Sequence, residues 1–186
     1  KPKGGLKIPK NYLETIQQII FEKFLIFKKN LFSMKTILMS IREGPFNALV
    51  NGSKLHEFRR KYFLEEPCQV VFYVSSPVKA ICGVGIFDKP IVGNINRLAD
   101  IINSHNYSSE KSLRSYMEGL EIGCAIPMLK VKRINEPITL GELRENIIGF
   151  RPPQSYCSFS FDKFKSLIDR LSLYEARDES IQRTIF

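Results

Sequence analysis

Histidine and cysteine are scarce in this chain. Its 186 residues include two histidines and four cysteines, and no two cysteines form a C-x-x-C pair. A structural zinc site needs such ligands clustered at short spacings, so the sequence predicts no metal and no other cofactor. Three of the cysteines sit in apolar, strand-like runs, which favours reduced and mostly buried thiols. The four are Cys68, Cys82, Cys124 and Cys157.

Long apolar segments are also missing. A membrane-spanning helix needs about 18 or more consecutive apolar residues. The richest apolar run, residues 19–27, is shorter and is interrupted by Glu22 and Lys23. The basic first residues are not followed by an apolar segment with a small-residue cleavage site, so they do not open a secretory signal. We therefore predict a cytoplasmic protein with no membrane partner.

Acidic residues are outnumbered by basic ones. The chain has 19 Asp and Glu against 28 Lys and Arg, which gives a formal net charge of +9 at pH 7. A phosphate-binding surface requires such an excess, because each neutralised phosphate releases bound counterions. Many basic proteins bind nucleic acid only non-specifically, so the charge indicates a class of partner and not a site. The expected partner is RNA, another single-stranded nucleic acid, or a nucleotide.

The chain divides into three predicted parts. Residues 1–33 combine a basic arm with a helix from Asn11 to about Asn30, and we interpret them as a linker or as the remnant of an upstream fused domain. Residues 34–173 form the main domain, and residues 174–186 form a polar tail. Hydrophobic residues make up 44% of the chain, which is enough for a packed core.

Within the main domain, short strands are interspersed with short helices. Apolar alternation predicts strands over 35–42, 55–62, 68–75, 79–87, 121–134 and part of 150–159. Helical spacing predicts helices over 45–50, 93–104, 108–118, 140–146 and from Asp162 onwards. This order does not fit a doubly wound parallel sheet. It predicts an α+β fold, a mixed β-barrel decorated by helices, with an extra N-terminal helix.

The most informative stretch runs from Gly52 to Arg59 and reads GSKLHEFR. Side chains alternate along a strand, so Glu57 and Arg59 point to the same face, and Lys54 in the preceding turn can reach that face. Two cations around one carboxylate suit a phosphate or a polarised carbonyl, and the carboxylate can accept hydrogen bonds from a base edge or a proton. The alternative is a surface ladder of salt bridges on an edge strand.

This stretch resembles the G-x-K-x-x-E-x-R signature of ASCH domains. Residues 34–42 look like the opening strand of that family and residues 45–52 like its first helix. Residues 73–83 and 150–156 resemble the bacterial and archaeal members. The resemblance covers roughly residues 34–160. It implies a PUA-like β-barrel with a cleft that accepts RNA or single nucleotides.

The resemblance also implies several activities. Some ASCH proteins hydrolyse the acetyl group of N4-acetylcytidine, some are ribonucleases, and others bind RNA or act as coactivators. In the amidohydrolase branch a Thr nucleophile lies three residues after the Lys, and a distant Glu completes the set. Here Glu57 stands at the Thr position, and Glu110 or Glu118 would be the distant acid. This departure counts against covalent amide hydrolysis.

We therefore expect a binding domain, and a regulatory role fits it. The predicted ligand-binding residues are Ser40, Arg42, Lys54, Glu57, Arg59, Arg151 and Gln154. Two alternatives stay open: a hydrolase in which Lys54 and Glu57 are catalytic, and a protein-interaction module fused to an upstream domain. Tyr73 or Tyr156 would stack a base or pack in the core. The basic residues Lys130, Lys132 and Arg133 would form a solvated face or assist phosphate binding.

Overall fold

The computed structural model describes residues 34–103 and 110–171. The predicted N-terminal arm and helix lie outside these residues. The start of the helix predicted over 108–118 and the polar tail lie outside them as well. The three-part division of the chain therefore stays a prediction. No helix in the described part is long and apolar enough to cross a membrane.

Seven strands form one curled, mixed sheet. They are β1 (Thr36–Ile41), β2 (His56–Arg59), β3 (Cys68–Val74), β4 (Ala80–Phe87), β5 (Ile91–Gly93), β6 (Gly123–Thr139) and β7 (Tyr156–Ser158). Their order is β2-β6-β4-β3-β1-β7, and β5 also pairs with β6. The β1–β3 pair is parallel, with Leu38 opposite Val71, and the other pairs are antiparallel. The result is the predicted α+β, PUA-like barrel.

Strand β6 makes the sheet curl. Its first residues, up to Pro127, pair with β2 and β5, and its remainder from Met128 pairs with β4. One 17-residue strand thereby belongs to two differently directed parts of the barrel wall. The β4–β6 ladder also shifts register twice, and such irregularities bend a strand and increase its twist.

Within the described residues, five short helices and one 3₁₀ turn decorate the sheet. They are α1 (Glu43–Val50), α2 (Ile95–Asn103), α3 (Glu110–Tyr116), α4 (Leu140–Asn146), the turn Lys165–Leu167, and α5 (Ile168–Leu171). Helix α4 begins with a capping box in which Thr139 accepts a hydrogen bond from the Glu142 amide and the Glu142 carboxylate accepts one from the Thr139 amide.

Two apolar cores stabilise the domain. The larger one fills the barrel with side chains from β1, α1, β3 and β4, among them Met39, Phe46 and Phe72. Phe46 and Phe72 pack with ring centroids 5.6 Å apart. The smaller core lies under α2 and α3, where Leu98 and Leu113 pack against the sheet. The cleft described below is bordered by both groups of elements.

Side chains close the barrel where the end strands of the sheet do not pair with each other. The Tyr62 and Tyr156 rings contact each other with centroids 5.1 Å apart, and the Phe63 amide donates to the Tyr156 hydroxyl at 2.8 Å. Tyr62 is buried, and its hydroxyl lies 3.2 Å from the Cys68 sulfur. Tyr156 therefore has the structural role that was one of its two predicted roles.

Several boundaries differ from the predictions. Strand β2 ends at Arg59 instead of residue 62, because Tyr62 leaves the ladder to fill the core. Strand β6 continues five residues past Ile134, because Ile138 is buried against β4 in spite of the polar residues before it. Strand β5 was not predicted, because its three residues are too few to show the alternation of apolar and polar side chains. The last helix begins at Ile168, after the 3₁₀ turn, and not at Asp162.

Candidate functional site

A tight turn after α1 places Lys54. Gly52 has a positive φ of 76°, a conformation that glycine adopts at little cost. The Gly52 amide donates to the Leu49 carbonyl at 3.2 Å, and the Lys54 amide donates to the Ala48 carbonyl at 3.0 Å. The Asn51 side chain accepts from the Ser53 amide at 3.0 Å. These bonds fold the chain back on the helix, so Lys54 points inward and not into solvent.

Lys54, Glu57 and Arg59 form an ion triad. The Lys54 Nζ lies 2.5 Å from Glu57 Oε2, and the Arg59 Nη2 lies 3.0 Å from Glu57 Oε1. Glu57 and Arg59 share a face of β2, as alternation predicts. All three side chains are about nine-tenths buried, with exposed fractions of 10%, 7% and 10%. The arrangement is therefore not the exposed ladder of salt bridges that the sequence left open.

The hydrogen bonds of the triad limit what Glu57 can do. Each carboxylate oxygen already faces one cation, so one of its two lone pairs is occupied and only the other is left for a substrate. Arg59 also donates from Nη2 to the Ser40 carbonyl at 2.9 Å, which connects β2 to the end of β1. Its Nε is buried without a hydrogen-bond partner among the described residues. With two cations and one anion, the triad carries a net charge of +1.

The triad borders a cleft with a volume of about 1260 Å³. Its charged lining residues are Arg42, Lys54, Arg59, Lys79 and Glu57, so four cations face one carboxylate. Lys54 and Arg59 are buried at the base of the cleft, whereas Arg42 and Lys79 are exposed on its rim. Such a concentration of one sign attracts a polyanion.

Apolar side chains also line the cleft. One group of them, the apolar wall, consists of Phe58 from β2, Ile102 from α2, and Leu113 and Tyr116 from α3. Ile102 and Leu113 are buried parts of the smaller core, and Phe58 packs against it. The cleft therefore combines cationic side chains with an apolar, partly aromatic surface.

The predicted ligand-binding residues occupy different positions around the cleft. Ser40 and Gln154 line it, and the Ser40 hydroxyl donates to the Pro153 carbonyl at 2.6 Å, so this hydroxyl holds the proline loop in place. Pro152 and Pro153 line the cleft too. Arg151 is exposed and is not among the described lining residues. The participation of Ser40, Gln154 and Arg151 in ligand binding stays a prediction.

Lys79 and Tyr73 also line the cleft, and neither was in the predicted ligand-binding set. Lys79 has a positive φ of 52°, which is rare for a residue with a side chain, and its backbone joins the turn after β3 to the start of α4. Tyr73 borders the cleft but is buried, and burial raises the pKa of its phenol. The turn residues Ser75 to Pro77 were a local signal for Lys79, but only the tertiary fold brings it to the triad.

Glu110, Glu118 and the cysteines lie outside the described cleft lining. Glu110 forms an ion pair with Arg114 at 2.6 Å, and Glu118 is exposed outside the cleft lining. Burial raises the pKa of all four cysteine thiols, so their reactive thiolate forms are disfavoured at neutral pH. Among residues 34–103 and 110–171, no three His, Cys, Asp or Glu side chains cluster as a metal site would require.

Comparison with known proteins identifies the family. No family model matches the chain. It is 30% identical over 142 residues to the ASCH domain-containing ribonuclease of Zymomonas mobilis subsp. mobilis, and the match covers 76% of this chain and 95% of that protein. The chain belongs to the ASCH domain family. This membership confirms the resemblance carried by the Gly52–Arg59 signature.

Solved structures agree with this ASCH assignment. The crystal structure of ASCH from Zymomonas mobilis matches with a TM-score of 0.66 and 27% identity, over 76% of this chain and 97% of that one. A substituted variant of the same protein gives the same TM-score over 73% and 95% of the two chains. The N-terminal domain of Staphylothermus marinus McrB shares the fold alone, with a TM-score of 0.50 and 9% identity.

Proposed function

We propose that this ASCH domain binds single-stranded RNA in the cleft. Arg42, Lys54, Arg59 and Lys79 contact the phosphates. The observation that carries this proposal is the charge of the cleft lining, in which four cations face one carboxylate. Contacts to phosphate supply much of the affinity of nucleic-acid-binding proteins. The similarity of this chain to a protein named a ribonuclease supports RNA as the polyanion.

The depth of the cations favours a single strand over a duplex. Lys54 and Arg59 are each 10% exposed at the base of the cleft, so a phosphate must enter to reach them. An A-form duplex holds its phosphates on a rigid helix, so it would reach the exposed Arg42 and Lys79 more readily than the buried pair. A single strand can insert one phosphate and turn its unstacked bases toward a protein surface.

A salt titration tests the proposal. The dissociation constant of a short, labelled single-stranded RNA is measured by fluorescence anisotropy at several salt concentrations. For single strands, each neutralised phosphate contributes about 0.7 to the slope of log K against log salt. We expect the exposed rim variant Arg42→Gln, Lys79→Gln to lose up to about 1.4 from the slope and to bind more weakly.

The control removes the same charge elsewhere. Lys89 and Lys163 are exposed and do not line the cleft, so the variant Lys89→Gln, Lys163→Gln should keep nearly the wild-type slope. Equal losses in both double variants would show that only net charge matters and would reject the cleft as the binding site. Tighter binding of a duplex than of a single strand would contradict the depth argument.

A second candidate function is cleavage of the bound RNA. The name of the relative from Zymomonas mobilis is the observation that favours it. Charge accumulates on the phosphate oxygens during phosphodiester cleavage, and fixed cations such as Lys54 and Arg59 would stabilise that charge. In this reaction Lys54 and Glu57 stay the predicted catalytic pair, with Glu57 holding the cations in position.

Incubation with substrate decides between binding and cleavage. Pure protein is incubated with end-labelled RNA and, separately, with N4-acetylcytidine. Fragments that appear with wild type but not with Lys54→Gln would establish cleavage at this site. Intact RNA under conditions of full binding would leave the domain as a binding module. Deacetylation of N4-acetylcytidine would instead support the amidohydrolase alternative, despite Glu57 at the Thr position.

A further inference from the structure

We infer that Tyr116 is a stacking platform for a nucleobase of the bound strand. This inference rests on the proposed RNA-binding function and assigns it a second contact, to a base and not to a phosphate. Tyr116 is the last residue of α3 and lines the cleft. Its side chain belongs to the apolar wall of the same cleft that the four cations line.

The exposure of Tyr116 distinguishes it from its neighbours on the wall. Ile102 and Leu113 are each 3% exposed and are parts of the smaller core, whereas Tyr116 is 44% exposed and belongs to neither core. Ser112 and Leu113 precede Tyr116 by four and three residues and also line the cleft, so one face of α3 points to the cleft. The Tyr116 ring therefore presents apolar surface that the fold does not use.

The backbone beneath this ring is held firmly. The Arg60 guanidinium donates from Nη1 to the Tyr116 carbonyl at 2.7 Å and to the Glu118 carbonyl at 3.1 Å. The next residue, Met117, is 3% exposed and anchors the helix end in the smaller core. Arg60 directly follows Arg59 of the ion triad. The end of β2 therefore positions both a cation of the cleft and the backbone of Tyr116.

The chemistry of a nucleotide matches this arrangement. Its phosphate is an anion that the cations can bind, and its base has a flat π-face that the apolar wall of the same cleft can contact. An aromatic ring stacks on any base, because every base has a π-face. Tyr116 therefore adds affinity with little preference for sequence, and a strand that lacks bases should not gain from it.

The absence of tryptophan from the chain makes a direct test possible. The variant Tyr116→Trp carries one tryptophan on the proposed platform, and a stacked base quenches its fluorescence. The matched control is Phe63→Trp, because Phe63 is 79% exposed and does not line the cleft. We expect single-stranded RNA to quench the first variant strongly and the second little. An abasic ribose-phosphate oligonucleotide of equal length should quench neither.

Affinity provides the second measurement. We expect Tyr116→Ala to bind single-stranded RNA about 5- to 30-fold more weakly, and Tyr116→Phe to bind within about twofold of wild type. The abasic oligonucleotide should bind wild type and Tyr116→Ala equally. Circular dichroism and thermal unfolding check that each variant is folded.

The outcomes separate this inference from the proposed function. Salt-dependent RNA binding that needs the rim cations, together with an unquenched Tyr116→Trp and an unchanged Tyr116→Ala, would overturn the stacking role and leave phosphate binding intact. Equal loss of affinity in Tyr116→Ala for normal and abasic strands would overturn it as well. No binding of RNA to the wild-type protein would overturn both.

Discussion

Replacing Glu57 by Gln tests whether the ion triad is built around an internal charge. The amide is nearly isosteric with the carboxylate but carries no charge, so it leaves Lys54 and Arg59 facing each other. Both cations are only 10% exposed, which limits their solvation by water. Removing one partner of a buried ion pair costs about 3–5 kcal/mol, because the remaining charge is buried without compensation.

This cost is large relative to the stability of a domain. Natural domains unfold with about 5–15 kcal/mol, and each kcal/mol shifts the midpoint of a domain of this size by about 2–4 °C. We therefore expect Glu57→Gln to lower the thermal midpoint by about 6–20 °C. Differential scanning calorimetry or circular dichroism at low salt measures the shift.

The same change should strengthen the response to RNA. It raises the charge of the triad from +1 to +2, so a bound phosphate compensates more charge in Glu57→Gln than in wild type. A ligand that binds only the folded state stabilises it by RT ln(1 + [L]/Kd), so tighter binding gives a larger stabilisation. Added single-stranded RNA should therefore raise the thermal midpoint of Glu57→Gln by more than that of wild type.

A matched control separates burial from charge. Glu66 pairs with Lys89 on the surface at 3.2 Å, with side chains 76% and 63% exposed. Glu66→Gln makes the same change in net charge, but an exposed pair contributes less than about 1 kcal/mol. If Glu57→Gln were no less stable than Glu66→Gln, or if RNA stabilised it no more than wild type, the account of the triad would be wrong.

Two further predictions concern the fold. A methyl group at Gly83 would lie 2.6 Å from the Lys132 carbonyl, so Gly83→Ala should destabilise the protein by about 1–3 kcal/mol or more in urea unfolding. A methyl group at Gly141 in α4 would make only an ordinary contact, 3.7 Å from the Thr139 hydroxyl oxygen, so Gly141→Ala should stabilise the protein by up to about 1 kcal/mol. Hydrogen bonds from Arg170 and then from the amide and hydroxyl of Thr139 lower the pKa of Glu142 from 4.5 to about 2. A lowered carboxyl pKa gives stability that is present above the ordinary pKa and is lost as the group is protonated in the folded state. The difference in thermal midpoint between wild type and Glu142→Gln should therefore be constant above about pH 5. It should shrink towards zero as the pH falls from about 4.5 to about 2. A difference that persists at pH 2 would contradict this assignment.

Local patterns predicted those features that depend on neighbouring residues. The alternation of Glu57 and Arg59 along one strand placed both side chains on one face, and the glycine turn oriented Lys54 toward them. The bounds of α4 were predicted correctly, because Thr139 and Glu142 form a capping box that needs only local sequence. The resemblance of Gly52–Arg59 to the family signature then predicted the PUA-like β-barrel.

Features that depend on tertiary contacts were not predictable. Lys79 and Tyr116 lie 25 and 62 residues after Lys54, and only the fold brings them to one cleft. The burial of the triad depends on the elements around it, so the charged stretch alone could not distinguish it from a surface ladder. Strand β5 pairs over three residues, which is too few for a period in the sequence.

The location of bound RNA tests the central claim most directly. The ¹⁵N-labelled protein is titrated with a short single-stranded RNA, and amide chemical shifts are followed by nuclear magnetic resonance. The account predicts that the shifts concentrate at residues 40–42, 52–59, 75–79 and 112–116, which border the cleft. Shifts concentrated instead at residues 130–133, the basic segment of β6, would contradict it.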